Sequence, residues 1–178
     1  MFKRVLLLAA AGAATAVVAH AAIATGAAAP DFTAPAYLEG EPLTFKLADA
    51  LKKGPVVLYF FPAAETKGCN IEAHEFAEAS DKFKAAGATV IGVTAGNVDQ
   101  LAKFSQETEH CAGKFPVAAD TTLSIAKSYD AVNQDHPDHT NRTSFVITKD
   151  HKIAFAMTDP KPDSHIDNTL AAVQGLKH

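Results

Sequence analysis

Cys69 closes the stretch Pro62-Ala-Ala-Glu-Thr66-Lys-Gly-Cys69, which follows directly on the apolar run Pro55-Val-Val-Leu-Tyr-Phe-Phe61. That order puts a thiol at the end of a buried strand and the start of a helix. The first turn of a helix has N–H groups without intrahelical partners, and the helix dipole favours an anion there. The position therefore favours a thiolate, the form in which cysteine is a nucleophile. The neighbouring residues suit the same chemistry. Gly68 permits close backbone approach and a tight entry into the helix. The Thr66 hydroxyl, three residues before the sulfur, can donate to a thiolate or to a bound oxygen. Pro62 stiffens the loop and covers the site without adding a competing N–H. A cation is still needed to balance charge, and Arg142 is the candidate, because the only other arginine is Arg4, near the N-terminus.

The elements that must position these groups follow from periodicity and punctuation. Tyr37-Leu38 and residues 43–47, joined across Glu39-Gly-Glu-Pro42, read as a hairpin. Residues 48–53 read as a short helix stopped by Gly54-Pro55. Residues 56–61 lack alternation, as expected of a strand buried on both faces. Residues 68–86 follow as a helix with Ile71, Phe76, Ala79 and Phe83 near helical spacing and Gly87 as its stop. Residues 89–94 form a second buried strand, so this strand–helix–strand unit predicts a parallel pair with a right-handed crossover. Further on come a helix over 98–109, an extended piece at 115–117, and a helix over 121–129 with Asp120 as its N-cap. Residues 130–141 are a polar loop. Residues 143–148 and 153–158 form an antiparallel hairpin, and a last helix runs to Leu176. A mixed sheet with helices on both faces makes a three-layer α/β domain.

The chain has 178 residues and a formal charge of −4. Met-Phe-Lys-Arg followed by an Ala-rich apolar stretch and Ala19-His20-Ala21 reads as a secretory signal over residues 1–21, with a flexible lead-in over 22–29 and one domain over 30–178. The leader predicts export, and a periplasmic location. No Lys/Arg cluster stands out, which argues against nucleic acid or an anionic membrane as partner. Two cysteines, Cys69 and Cys111, leave room for one structural bridge or one redox pair in an oxidising compartment. His136, Asp138, His139 and His165 do not by themselves make a metal site, since ligands need convergent geometry. Neither a metal nor another cofactor is expected.

Pro62, Thr66 and Cys69 match the P-x-x-x-T-x-x-C signature of the peroxiredoxins, which this chain resembles from about Pro30 onward. Arg142 in Arg-Thr-Ser-Phe-Val-Ile147 is similar to the family's arginine opening a core strand. Ala29-Pro-Asp-Phe-Thr33 resembles its domain start, and Glu72 resembles the glutamate of the bacterioferritin-comigratory, or Q-type, subfamily. The resemblance implies a thioredoxin-like fold and a thiol peroxidase acting on hydrogen peroxide and organic hydroperoxides. Cys69 would be the peroxidatic thiol, with Thr66, Gly68 and Arg142 binding the substrate and Pro62 shielding the sulfur. An external thiol, from a thioredoxin-like protein or a small molecule, would be the reductant, and the Q-type likeness leans toward a monomer or weak dimer.

Some positions depart from that pattern. Many Q-type members place the resolving cysteine five residues after the peroxidatic one, where this chain has His74; Lys67 and Asn70 also replace the usual proline and threonine. By the resemblance the remaining resolver is Cys111, and a disulfide with Cys69 would need Cα atoms within about 7 Å, hence local unwinding of the helix. Otherwise Cys69 would be reduced directly by an external thiol. Two other functions stay open on the residues alone. A thiol–disulfide oxidoreductase would ordinarily carry Cys-x-x-Cys, which Cys69-Asn-Ile-Glu72 lacks. A non-catalytic binding module would need a second ligand beside Cys69, for which His74 is a weak candidate.

Overall fold

The computed structural model describes residues 23–176, so the predicted signal over 1–21 lies outside it. Its elements run β1 Thr33–Leu38, β2 Glu41–Lys46, α1 Leu47–Lys53, β3 Val56–Phe60, α2 Lys67–Ala85, β4 Thr89–Thr94, α3 Leu101–Gln106, β5 Val117–Ala119, α4 Ser124–Ser128, β6 Thr143–Ile147, β7 Ile153–Thr158 and α5 Asp163–Gln174. The strands form one seven-stranded mixed sheet in the order β2-β1-β5-β4-β3-β6-β7. β3 pairs parallel with β4 and antiparallel with β6, which makes it an interior strand, and α2 departs from its end. Among the described residues no helix is long and apolar enough to cross a membrane.

The apolar run that starts at Val56 has the property its sequence implies: every residue of β3 is buried. Successive side chains leave a strand on opposite faces. Val56, Leu58 and Phe60 accordingly enter a core with α1, α4 and Phe145, whereas Val57, Tyr59 and Phe61 enter one with α2, α3 and α5. The domain is therefore three-layered. On the α2 side Tyr59 stacks on Phe76 with ring centroids 4.5 Å apart, and Phe61 on Phe104 at 5.6 Å.

Several local expectations change. Ile71 is not on the buried stripe of α2 and is 40% exposed; the stripe is Cys69, Glu72, Ala73, Phe76, Ala79 and Phe83, so a carboxylate takes the place assigned to an aliphatic side chain. The helix expected over 98–109 is a 3-10 turn, Val98–Gln100, followed by α3, which ends at Gln106. Residues 107–114 instead fold into tight turns in which Ala112 and Gly113 adopt left-handed conformations. α4 begins at Ser124 rather than at residue 121, behind a left-handed Leu123. Asp120 still serves this helix from outside, accepting the Ala126 N–H at 2.8 Å. Residues 26–29, expected as a flexible lead-in, exchange backbone hydrogen bonds with His151 and Ile153 at the start of β7.

Gly92 on β4 stands beside Tyr59 of β3, and a Cβ there would come within 2.7 Å of the Tyr59 ring. The absent side chain is what lets that ring lie flat against the sheet and stack on Phe76. Gly92→Val should therefore destabilise the protein by about 2 kcal/mol through overpacking, measured as a lower midpoint in urea unfolding with an unchanged slope.

Candidate functional site

The site forms where the C-terminal end of β3 gives way to α2, and its loop is held from two sides. Phe61 N–H donates to the Val93 carbonyl, the Thr94 hydroxyl donates to the Pro62 carbonyl at 3.1 Å, and the Asn97 side chain donates to the Ala64 carbonyl at 2.7 Å. From the other side the buried Thr140 hydroxyl donates to the Phe61 carbonyl at 2.7 Å. Gly96 allows this approach, because a Cβ there would meet the Pro62 carbonyl oxygen at 2.5 Å. The loop that carries Pro62 and Thr66 is thus fixed by the ends of β4 and β6 before α2 begins.

Cys69 lies in the first turn of α2 and is 2% exposed. Arg142, immediately before β6, reaches it with Nη2 at 3.6 Å from the sulfur. The same guanidinium donates from Nη1 to Glu72 and from Nε to the Pro160 carbonyl at 3.1 Å, so three separate groups fix its plane. Gly68 makes room for it, since a Cβ at that position would stand 3.2 Å from Nη2. The structure thus brings together Cys69, Gly68 and Arg142, with Pro62 half-buried in the loop above. Thr66 is the N-cap of α2, but its hydroxyl donates to the Ala63 carbonyl at 2.9 Å rather than to the sulfur. Its lone pairs stay free to accept.

Glu72, one turn beyond Cys69, is fully buried and is held by Arg142 through Oε2, while Oε1 has no hydrogen-bond partner. Burial pushes its carboxyl up to about 8, against the downward pull of the guanidinium. The charge of Arg142 is therefore not cancelled by this carboxyl over much of the neutral range. Behind Glu72 lies a polar pair that the sequence reading did not place in the site. His165 on α5 hydrogen-bonds the Ser144 hydroxyl through Nδ1 at 2.7 Å and the Asp159 carbonyl through Nε2 at 2.9 Å. The carbonyl can only accept, so the Nε2 proton is donated to it and Nδ1 takes the Ser144 proton. Burial holds this imidazole below its ordinary value, and hence neutral. The available signals were a serine inside the apolar β6 strand and an acid at the spacing of the buried stripe of α2.

Cys111 is fully buried in the turn after α3, inside the same core as Cys69, and burial pushes its thiol well up. Both cysteines are free thiols in this structure. Tyr59 lies close enough for either sulfur to affect its hydroxyl, which is buried without a partner. His74 is half exposed and faces Glu78 at 3.6 Å, on the outer side of α2. His139 pairs with exposed Asp138 at 2.9 Å.

A carboxyl raised by folding binds a proton in the native state that it lacks in the unfolded chain, so stability falls as pH rises between its unfolded and folded values. Glu72 should impose that loss between its ordinary 4.5 and about 8. Wild type minus Glu72→Gln, compared by urea unfolding across this window, should show a difference that declines with pH and flattens above it. A pH-independent difference would show that the carboxyl is ionised throughout.

The AhpC/TSA family model matches residues 25–156. A chloroplastic peroxiredoxin Q of Sedum lineare is 29% identical over 158 residues, covering 88% of this chain and 81% of that protein. A chloroplastic peroxiredoxin Q of Oryza sativa subsp. japonica is 28% identical over 155 residues, covering 86% and 68%. Among solved structures, the peroxidoxin BcpB of Mycobacterium tuberculosis superposes with a TM-score of 0.76 at 28% identity, over 86% of this chain and 98% of that one. A fixed loop, a thiol in the first turn of a helix and a buried arginine facing it thus occur on the matching fold in a chain that matches in sequence: the protein belongs to the AhpC/TSA family and is a peroxiredoxin, a thiol peroxidase with a thioredoxin-like fold.

Proposed function

We propose that Cys69 is the peroxidatic residue of this thiol peroxidase and that Cys111 resolves it. The observation that carries the first half is the Arg142 guanidinium, buried and 3.6 Å from the Cys69 sulfur. A cation in a site of low dielectric stabilises negative charge far more than it would in water. As thiolate, Cys69 attacks one oxygen of a hydroperoxide; an S–O bond forms as the O–O bond breaks. The departing oxygen leaves as alcohol or water, taking up the proton the thiol gave, and Cys69 becomes a sulfenic acid. Arg142 faces the charge that moves from sulfur to oxygen. Thr66, whose own proton is held by Ala63, would accept the hydroperoxide O–H and orient it.

Cys111 then condenses with the sulfenic acid, releasing water and leaving a Cys69–Cys111 disulfide. Two external thiols would reduce that bond and restore both cysteines. Support for this half is that both sulfurs border one core and that the first turn of α2 is weakly held. It has no acidic residue to match the helix dipole and carries Lys67 at the positive end. Local unwinding there is less costly than in the middle of the helix. The apolar leader supports export, which makes an exported thioredoxin-like protein or a small thiol the reductant.

Rapid mixing of reduced protein with one equivalent of hydrogen peroxide tests both halves. Cys69→Ser should abolish peroxide consumption. Arg142→Met combined with Glu72→Gln, which leaves no buried charge unpaired, should fold and react about 10²–10³-fold more slowly, the range for losing one preorganised donor. Cys111→Ser should consume its first equivalent at the wild-type rate and then accumulate Cys69 sulfenic or sulfinic acid by mass spectrometry. Slow oxidation of wild type would sink the peroxidatic assignment, and no Cys69–Cys111 disulfide in wild type would sink the resolver.

A further inference from the structure

A second cluster of polar side chains lies on the other side of the Cys69 loop. Glu65, in the loop before α2, meets Glu107 and His110 from the turns after α3, and one ligand-type atom from each lies within 4.8 Å of the others. His110 is only 7% exposed, and its ring is stacked on Phe104 at 4.9 Å, which fixes where its nitrogens point. Nδ1 stands 2.9 Å from Glu107 Oε2 and 4.0 Å from Glu65 Oε1. Yet neither contact has hydrogen-bond alignment: His110 Nδ1 and Glu65 Oε1 are both buried and without a hydrogen-bond partner. Buried polar atoms are seldom left so, and a buried nitrogen facing carboxylate oxygens calls for a cation between them.

The cation now nearest is the Lys103 ammonium, 3.6 Å from Glu65 and 3.4 Å from Glu107. It serves the carboxylates but not the imidazole. Its side chain is 55% exposed, and ion pairs of that kind contribute little, so it can swing into solvent with little loss. With Lys103 withdrawn, two carboxylates and an imidazole remain, a nitrogen-and-oxygen set suited to a divalent first-row transition metal rather than to magnesium or calcium. Bonds of about 2.0–2.2 Å put neighbouring ligand atoms about 2.9–3.5 Å apart. The His110–Glu107 separation fits that already, and Glu65 Oε1 would close on His110 Nδ1 by about half an ångström and on Glu107 from within 4.8 Å.

We propose that Glu65, Glu107 and His110 bind a divalent transition-metal ion such as zinc, and that the bound ion slows resolution. The ion would tie the loop before Cys69 to the segment bearing Cys111 and so oppose the local unwinding that lets the sulfurs meet. This second part rests on Cys111 being the resolving cysteine.

The binding test uses zinc chloride titrated calorimetrically into the full chain carrying Cys69→Ser and Cys111→Ser, so that no thiol competes. One ion per chain should bind. His110→Ala and Glu107→Gln should each weaken binding at least tenfold, Lys103→Ala should strengthen it, and His136→Ala with His139→Ala should leave it unchanged. No saturable binding below millimolar zinc, or binding that ignores His110→Ala, overturns the site. In wild type after one equivalent of peroxide, saturating zinc should slow the Cys69–Cys111 disulfide at least fivefold, and His110→Ala should remove the effect. An equal rate with the site filled overturns the regulatory part. A chain that forms no such disulfide even without zinc overturns that part through the resolver, while the calorimetric result stands apart.

Discussion

A single buried guanidinium organises this molecule. Arg142 is sheltered from water at the start of β6, and a charge so placed is tolerated only where its donors are satisfied. Each edge of the group has a different partner: the Pro160 carbonyl on Nε, the Glu72 carboxyl on Nη1 and the Cys69 sulfur on Nη2. The partners come from the α2 helix and from the segment after β7, so the site exists only when the sheet has set β3 and β6 side by side. Gly68 and the Thr140 hydroxyl serve the same end, one by leaving space for the guanidinium and the other by tying the strand ends together.

The Glu72 carboxyl and the Cys69 sulfur share one cation. A carboxyl taken out of water loses its solvation, which disfavours its charged form. Raised to about 8, Glu72 acts over much of the neutral range as a hydrogen-bonding partner of Arg142 more than as its counter-charge. The neutral His165 behind it, fixed by Ser144 and Asp159, adds no positive charge that would reverse that balance.

Burial bears also on the proposed resolution. Cys69 and Cys111 are enclosed in one apolar core, so a disulfide between them would need local opening. Beside the two cysteines lie a first helical turn without acids, and tight turns with left-handed Ala112 and Gly113 just after Cys111. The Glu65, Glu107 and His110 cluster spans those same two segments.

The sequence alone determined the order of strands and helices, the parallel β3–β4 unit and the placement of Cys69 at a helix start, because those depend on local periodicity and on glycine and proline punctuation. Pro62, Thr66, Gly68 and Arg142 were legible through their types and their relation to one nucleophile. What the sequence could not decide was direction and company: that Ile71 faces outward while Glu72 faces inward, that the Thr66 proton goes to Ala63, and that Ser144 and His165 stand behind the carboxyl. The helix after β4 also stopped short of its periodic pattern, because residues 107–114 bond back on themselves to bury Cys111. Those outcomes rest on contacts between residues far apart in the chain, and only the packed sheet brings them together.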